Sequence, residues 1–187
     1  MLQQFWFFSF AILFISFSLN NNQCNSKEYI VWNDKKKLRW DYFQSIKAPG
    51  RDTGSTSKIQ IKLEYKVENH LQWFSAECIF LKKSSFLGSN RTDYVLNHEQ
   101  VHFDIGEVYA RVLRKEILLI GKEINRNNSK RIDSLVDATK ALLIQEQLLY
   151  DSETDGSQNR TKQEWWDMKI RSKLDSLSAF AKHKYWL

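Results

Sequence analysis

Two histidines four residues apart, with a glutamate beside the first, form the run His98-Glu99-Gln100-Val101-His102. Residues four apart share one face of a helix, so both imidazoles can reach a single divalent ion. The pattern is that of H-E-x-x-H, in which the glutamate takes a proton from a water on zinc. The chain has four histidines in all, His70, His98, His102 and His183, so such a pairing carries information. The plain alternative is an amphipathic helix with two surface histidines.

A catalytic zinc takes three protein ligands and keeps a fourth position open. The third ligand must come from outside the motif. Glu107 lies about half a turn around the helix from His98, and its expected role is an ion pair with Arg111 at i,i+4. Asp104 also turns away and reads as a supporting or surface carboxylate. His183 sits between Lys182 and Lys184 and is expected in solvent; His70 is expected in a turn. That leaves the acidic run Asp151, Glu153 and Asp155, which is expected in a loop after the second helix. Tyr150 or Tyr109 offers a hydroxyl for stabilising an oxyanion.

The elements that must position these groups follow from periodicity. Ile59, Ile61, Leu63, Tyr65 and Val67 alternate with polar residues, which predicts a strand with one buried face. Shorter strands are expected at Tyr29–Trp32 and Glu77–Leu81, and a turn-rich stretch around Pro49 and Gly50. From about Thr92 the period becomes 3.6. His98, His102, Ile105, Tyr109 and Val112 fall on one stripe of a helix expected to continue toward Asn125, with Gly121 as its weak point. A second helix is expected from Ile132 to Tyr150, with Leu135, Leu142, Ile144 and Leu148 as apolar positions. A third is expected from Thr161 toward Phe180, with Trp165, Trp166, Ile170, Leu174 and Leu177. A small antiparallel β region followed by three long helices is an α+β layout. It suits the zincin arrangement, in which the active-site helix lies beneath a sheet and an edge strand can pair with an extended peptide.

The chain has 187 residues, 42% of them hydrophobic, enough for one domain with a core. The net charge of +6 comes from Lys and Arg interleaved with acids, and no basic block with stacking aromatics appears. Nucleic-acid binding is therefore not expected. Phe5 to Leu19 is an uncharged apolar run, shorter than the roughly 20 residues of a membrane span. It reads as a signal peptide or an N-terminal anchor over residues 1–24, leaving 25–187 as a single domain outside the cytoplasm. Membrane association would run through that N-terminus. For Cys24 and Cys78 three readings stay open: a disulfide, a lipid anchor at Cys24, or two unrelated thiols. With no C-x-x-C, a cysteine zinc site is not expected.

The block Leu96-Asn97-His98-Glu99-Gln100-Val101-His102-Phe103-Asp104-Ile105, then Glu107, Tyr109-Ala110-Arg111 and Leu113-Arg114, resembles a bacterial family of predicted secreted zinc-dependent proteases, DUF922. The resemblance extends upstream to Leu38-Arg39-Trp40-Asp41-Tyr42-Phe43. Downstream it reaches Tyr150-Asp151, Glu153-Thr154, Gln163 and Trp166. It implies a zinc cofactor, a peptide or protein substrate and export. In the family the downstream block reads Tyr-Asp-x-x-Thr-x-His-Gly or His-Ser, and its histidine is the candidate third ligand. Gly156 stands at that position here. The resemblance thus implies either that Asp151, Glu153 or Asp155 substitutes, or that metal is held weakly. Two functions follow. One is a zinc metallopeptidase with His98 and His102 as ligands and Glu99 as general base. The other is a degenerate member serving as a metal-binding or envelope interaction protein. A helical domain with incidental histidines is the third reading.

Overall fold

The computed structural model describes residues 28–46, 54–68, 71–121 and 129–187. The apolar N-terminal run, Cys24, Pro49 and His70 lie outside the described residues. Among those described, the architecture is α+β: a small antiparallel sheet of four strands and three helices. No described helix is long and apolar enough to cross a membrane.

Strand β2 (Ile59–Glu68) pairs along its whole length with β3 (Leu71–Leu81), Ile59 opposite Phe80 and Glu68 opposite Leu71. Two three-residue strands, β1 (Tyr29–Val31) and β4 (Lys184–Trp186), pair with the other side of β3, near its two ends. β3 therefore starts six residues earlier than the expected Glu77. Its alternation was hidden because Trp73 is apolar on the outward face. The Lys184 and Lys66 ammonium groups stand 3.9 and 5.6 Å from the Trp73 ring centroid. Their aliphatic stems cover the indole, as long cationic side chains do. β4 was not expected: three residues are too few to show a period, and Tyr185 is held by stacking on Phe74 at 5.6 Å as well as by backbone pairing.

The inward face of the sheet presents Ile59 and Ile61 from β2, and Phe74, Ala76, Cys78 and Phe80 from β3. Against it packs α1 (Asp93–Ile120), through Phe103, Ile105 and Val108 among others. Cys78 is a free thiol in this core, its Sγ 3.6 Å from the Phe103 carbonyl. Thr92 caps α1 by accepting a hydrogen bond from the Val95 amide, satisfying an orphan donor of the first turn. α1 ends at Ile120, with Gly121 behind it at φ +23°, a conformation glycine adopts cheaply; Asn125 lies outside the described residues.

α1 is central, and polar residues are buried in it as well as apolar ones. The expected Glu107–Arg111 pair forms at 3.0 Å. Arg114 joins it at 2.8 Å and also donates to the Ala76 and Phe180 carbonyls. This buried triad ties α1 to β3 and to the C-terminal segment.

Helix α2 (Ser129–Thr154) begins before Ile132 and ends a turn beyond Tyr150; α3 is Arg160–Ser176, with a 3-10 turn at Ser178–Phe180. Three expected anchors are open to solvent: Leu142, Leu148 and Trp165 are 49, 42 and 47% exposed. On α2, Val136, Leu143 and Tyr150 are buried instead, while on α3 the expected Trp166 and Ile170 are buried. The apolar residues of α2 encircle it too evenly for periodicity to choose a face, and packing against α1 and α3 makes the choice.

Candidate metal centre

His98 and His102 lie one turn apart near the start of α1 and point toward α2. Their Nε2 atoms are 3.2 Å apart. Asp151 Oδ1 stands 3.3 Å from His98 Nε2 and 2.8 Å from His102 Nε2. Ligands at about 2.0–2.1 Å from a tetrahedral ion stand about 3.3 Å from one another. The three donors therefore have the spacing of a small tetrahedral ion, and as a group they could hold one.

The other ring nitrogens are engaged by amides. Gln163 Oε1 lies 3.0 Å from His98 Nδ1, and Gln147 Oε1 meets His102 Nδ1. Gln147 also donates from Nε2 to the His102 carbonyl at 2.9 Å, so its oxygen must face the ring. An amide oxygen accepts only. It therefore places a proton on Nδ1 and leaves Nε2 as the metal-facing lone pair, the arrangement that orients imidazole ligands. The Tyr150 ring stacks on His98 with centroids 4.6 Å apart, closing the inner side.

Asp151 was expected in a loop. It occupies the last turn of α2, four residues after Gln147, so both reach the same place from one helix face. Its acidic neighbours are elsewhere. Glu153 accepts from Trp166 Nε1 at 2.9 Å and pairs with Lys162 at 3.7 Å, serving the α2–α3 contact. Asp155 has left the helix with φ +50°, in the tight turn that Gly156 continues at φ +54°. Gly156 has open space where a Cβ would stand. The acidic residue that joins the two histidines is thus Asp151, five residues before the place where the resemblance put a histidine.

Glu99 is buried beside the pair. Its Oε2 accepts from Ser57 Oγ at 2.5 Å. Burial raises its pKa; His102, His98 and the Ser57 hydrogen bond oppose this, and the net direction is upward. Burial alone would lower His102, but the Asp151 carboxylate overrides it and raises its pKa to about 9. Burial would raise Asp151, but His102 holds it well below the usual carboxylate range. Metal-free, the site is thus an imidazolium–carboxylate pair, one proton standing where the ion would.

Both tyrosines named for an oxyanion have their hydroxyls engaged by protein groups. Tyr150 is fully buried, and its hydroxyl bonds to Gln163 Oε1 at 2.6 Å and the His98 carbonyl at 3.2 Å. Tyr109 bonds to Glu146. Asp104 is a supporting carboxylate, accepting from Trp32 Nε1 and Gln100 Nε2, both at 2.7 Å. His183 lies near Glu77 at 4.0 Å, away from the centre. Periodicity gave no hint of Ser57, Gln147 or Gln163 as site residues. Gln147 had one usable signal: it precedes Asp151 by one helical turn. No protein-family model, curated protein or solved structure matches the chain.

Proposed function

We propose that the protein is a secreted or envelope-associated zinc-dependent metallopeptidase, related to the DUF922 family it resembles. The observation that carries this reading is the convergence of His98, His102 and Asp151 with a buried Glu99 beside them. Two imidazoles and one carboxylate favour zinc over calcium or magnesium, which prefer all-oxygen shells. Bound zinc supplies Lewis acidity that brings the pKa of a water toward 7. With zinc held there, Glu99 would take a proton from that water and pass it to the leaving amine. Its raised pKa suits it to hold the proton between the two transfers. Ser57 engages one carboxylate oxygen and leaves the other for the water. β2 pairs only with β3 among the described residues, so its second edge is open to an extended peptide. That edge begins two residues beyond Ser57, beside the base.

A second reading draws on the same contact. Glu99 is 3% exposed with one oxygen already occupied, which suits a centre that holds metal without turnover. Zinc content and peptide hydrolysis, measured on the wild type and on Glu99→Gln, separate the two. The peptidase reading expects one zinc per chain in both proteins and a loss of turnover of at least about 100-fold in the variant. Undiminished hydrolysis in Glu99→Gln sinks the mechanism. Tight zinc with no hydrolysis in the wild type selects the second reading.

A further inference from the structure

We propose that Asp167, which touches neither histidine, fixes the tautomer of His98 and thereby tunes the metal affinity of the centre. The inference rests on the metal-binding reading above. The two ends of an amide are nearly equal in size, so a neighbour must decide which way Gln163 points. Gln163 Nε2 stands 2.9 Å from Asp167 Oδ1. A carboxylate only accepts, so the amide nitrogen must face it. The oxygen is then turned inward, 3.0 Å from His98 Nδ1. An acceptor there requires Nδ1–H, and the neutral ring keeps its lone pair on Nε2, facing Asp151 and His102.

The other neighbour cannot make this decision. The Tyr150 hydroxyl lies 2.6 Å from Gln163 Oε1 and 3.2 Å from the His98 carbonyl, so it is satisfied either way: it donates to the amide oxygen as placed, and with the amide reversed it would accept from Gln163 and donate to the carbonyl. Asn97 Nδ2 holds the Asp167 carboxylate from α1, at 3.2 and 3.0 Å from its two oxygens. For His102 the corresponding decision belongs to a main-chain carbonyl through Gln147. For His98 it belongs to a side chain. If Gln163 reverses, its N–H faces Nδ1, the ring proton moves to Nε2, and the lone pair that would bind the ion is lost. Asp167 also lines an open cleft of about 560 Å³ with Trp32, Lys37 and Arg111, so an isosteric change there leaves the packing in place.

The experiment compares the wild type, Asp167→Asn, and Asp167→Asn with Gln163→Glu in the full chain. Zinc affinity is read by chelator competition. The His98 tautomer is read from the ring nitrogen-15 shifts of the metal-free protein in mildly alkaline buffer. The wild type is expected as the Nδ1–H form. The single variant is expected to show mixed tautomers and about a tenfold loss of zinc affinity, the low end for outer partners of a ligand. The double variant is expected to recover both. Its carboxylate at 163 can only accept from His98, and the amide at 167 donates to it. Unchanged ring shifts in the single variant, or no recovery in the double, overturn the role of Asp167. If the wild type binds no zinc, the metal reading fails by itself, and the ring shifts still decide whether Asp167 sets the tautomer.

Discussion

The pairing of His102 with Asp151 makes the stability of the metal-free protein depend on pH in a direction that can be worked out. The imidazole pKa rises from 6.5 to about 9 on folding. A group raised on folding contributes stability that is full below its unfolded value and is lost as pH climbs through the folded one. Asp151, depressed on folding, expresses the same interaction from the acid side. Its contribution is present above its unfolded value, 3.8, and fades only as pH falls below that. Stability from this pair is thus greatest between about 3.8 and 6.5 and drains away from 6.5 to 9. At about 1.4 kcal/mol per pH unit the full change is about 3 kcal/mol. The Asp151 side chain is 36% exposed, so solvent screening reduces this to about 2 kcal/mol. For a chain of this length that is a fall in Tm of about 4–8 °C. Thermal denaturation of the chelator-treated protein across this window tests it, with Asp151→Asn expected to show little of the slope. Zinc displaces the same proton, so its affinity should rise over the same interval. A wild-type profile flat from 6.5 to 9, or an equal slope in Asp151→Asn, refutes the reasoning.

Two further predictions concern the scaffold that holds α1. Glu107→Gln removes the charge that Arg111 and Arg114 share in the core, and urea denaturation should show a loss of about 3–5 kcal/mol, typical of an orphaned buried charge. Gly106→Ala places a Cβ 2.6 Å from Ile59 Cγ2 and 2.7 Å from Cys78 Sγ. It should cost about 1–3 kcal/mol in the same assay, because the helix must back away from the sheet. Pairing it with Cys78→Ala should recover part of that loss.

The sequence made the α+β class legible, since a strand of period two and long segments of period 3.6 are local patterns. The start of α1 near Thr92 was legible for the same reason, but its end was read past Gly121, which counted only as a weak point until the backbone showed its positive φ. The buried faces of α2 and α3 were less so. Leu142, Leu148 and Trp165 are as apolar as the residues that won burial, and only the placement of neighbouring helices distinguishes them. β3 was read too short because Trp73 interrupts its alternation, and β4 was missed because three residues cannot show a period.

The two histidines and Glu99 were set by sequence alone, because four residues are one helical turn whatever surrounds the helix. The third donor was not. Asp151, Glu153 and Asp155 are equivalent as a string of acids, but each residue turns about 100° on a helix. One extra turn of α2 carries Asp151 to the histidines, sends Glu153 to Trp166 and leaves Asp155 in the turn. The hydroxyl of Ser57 and the outlying Asp167 were invisible, and the amides of Gln147 and Gln163 could be given a role only by the fold. Their roles depend on contacts from across the chain, and hydrogen-bond polarity exists only once donors and acceptors have been brought within 3 Å.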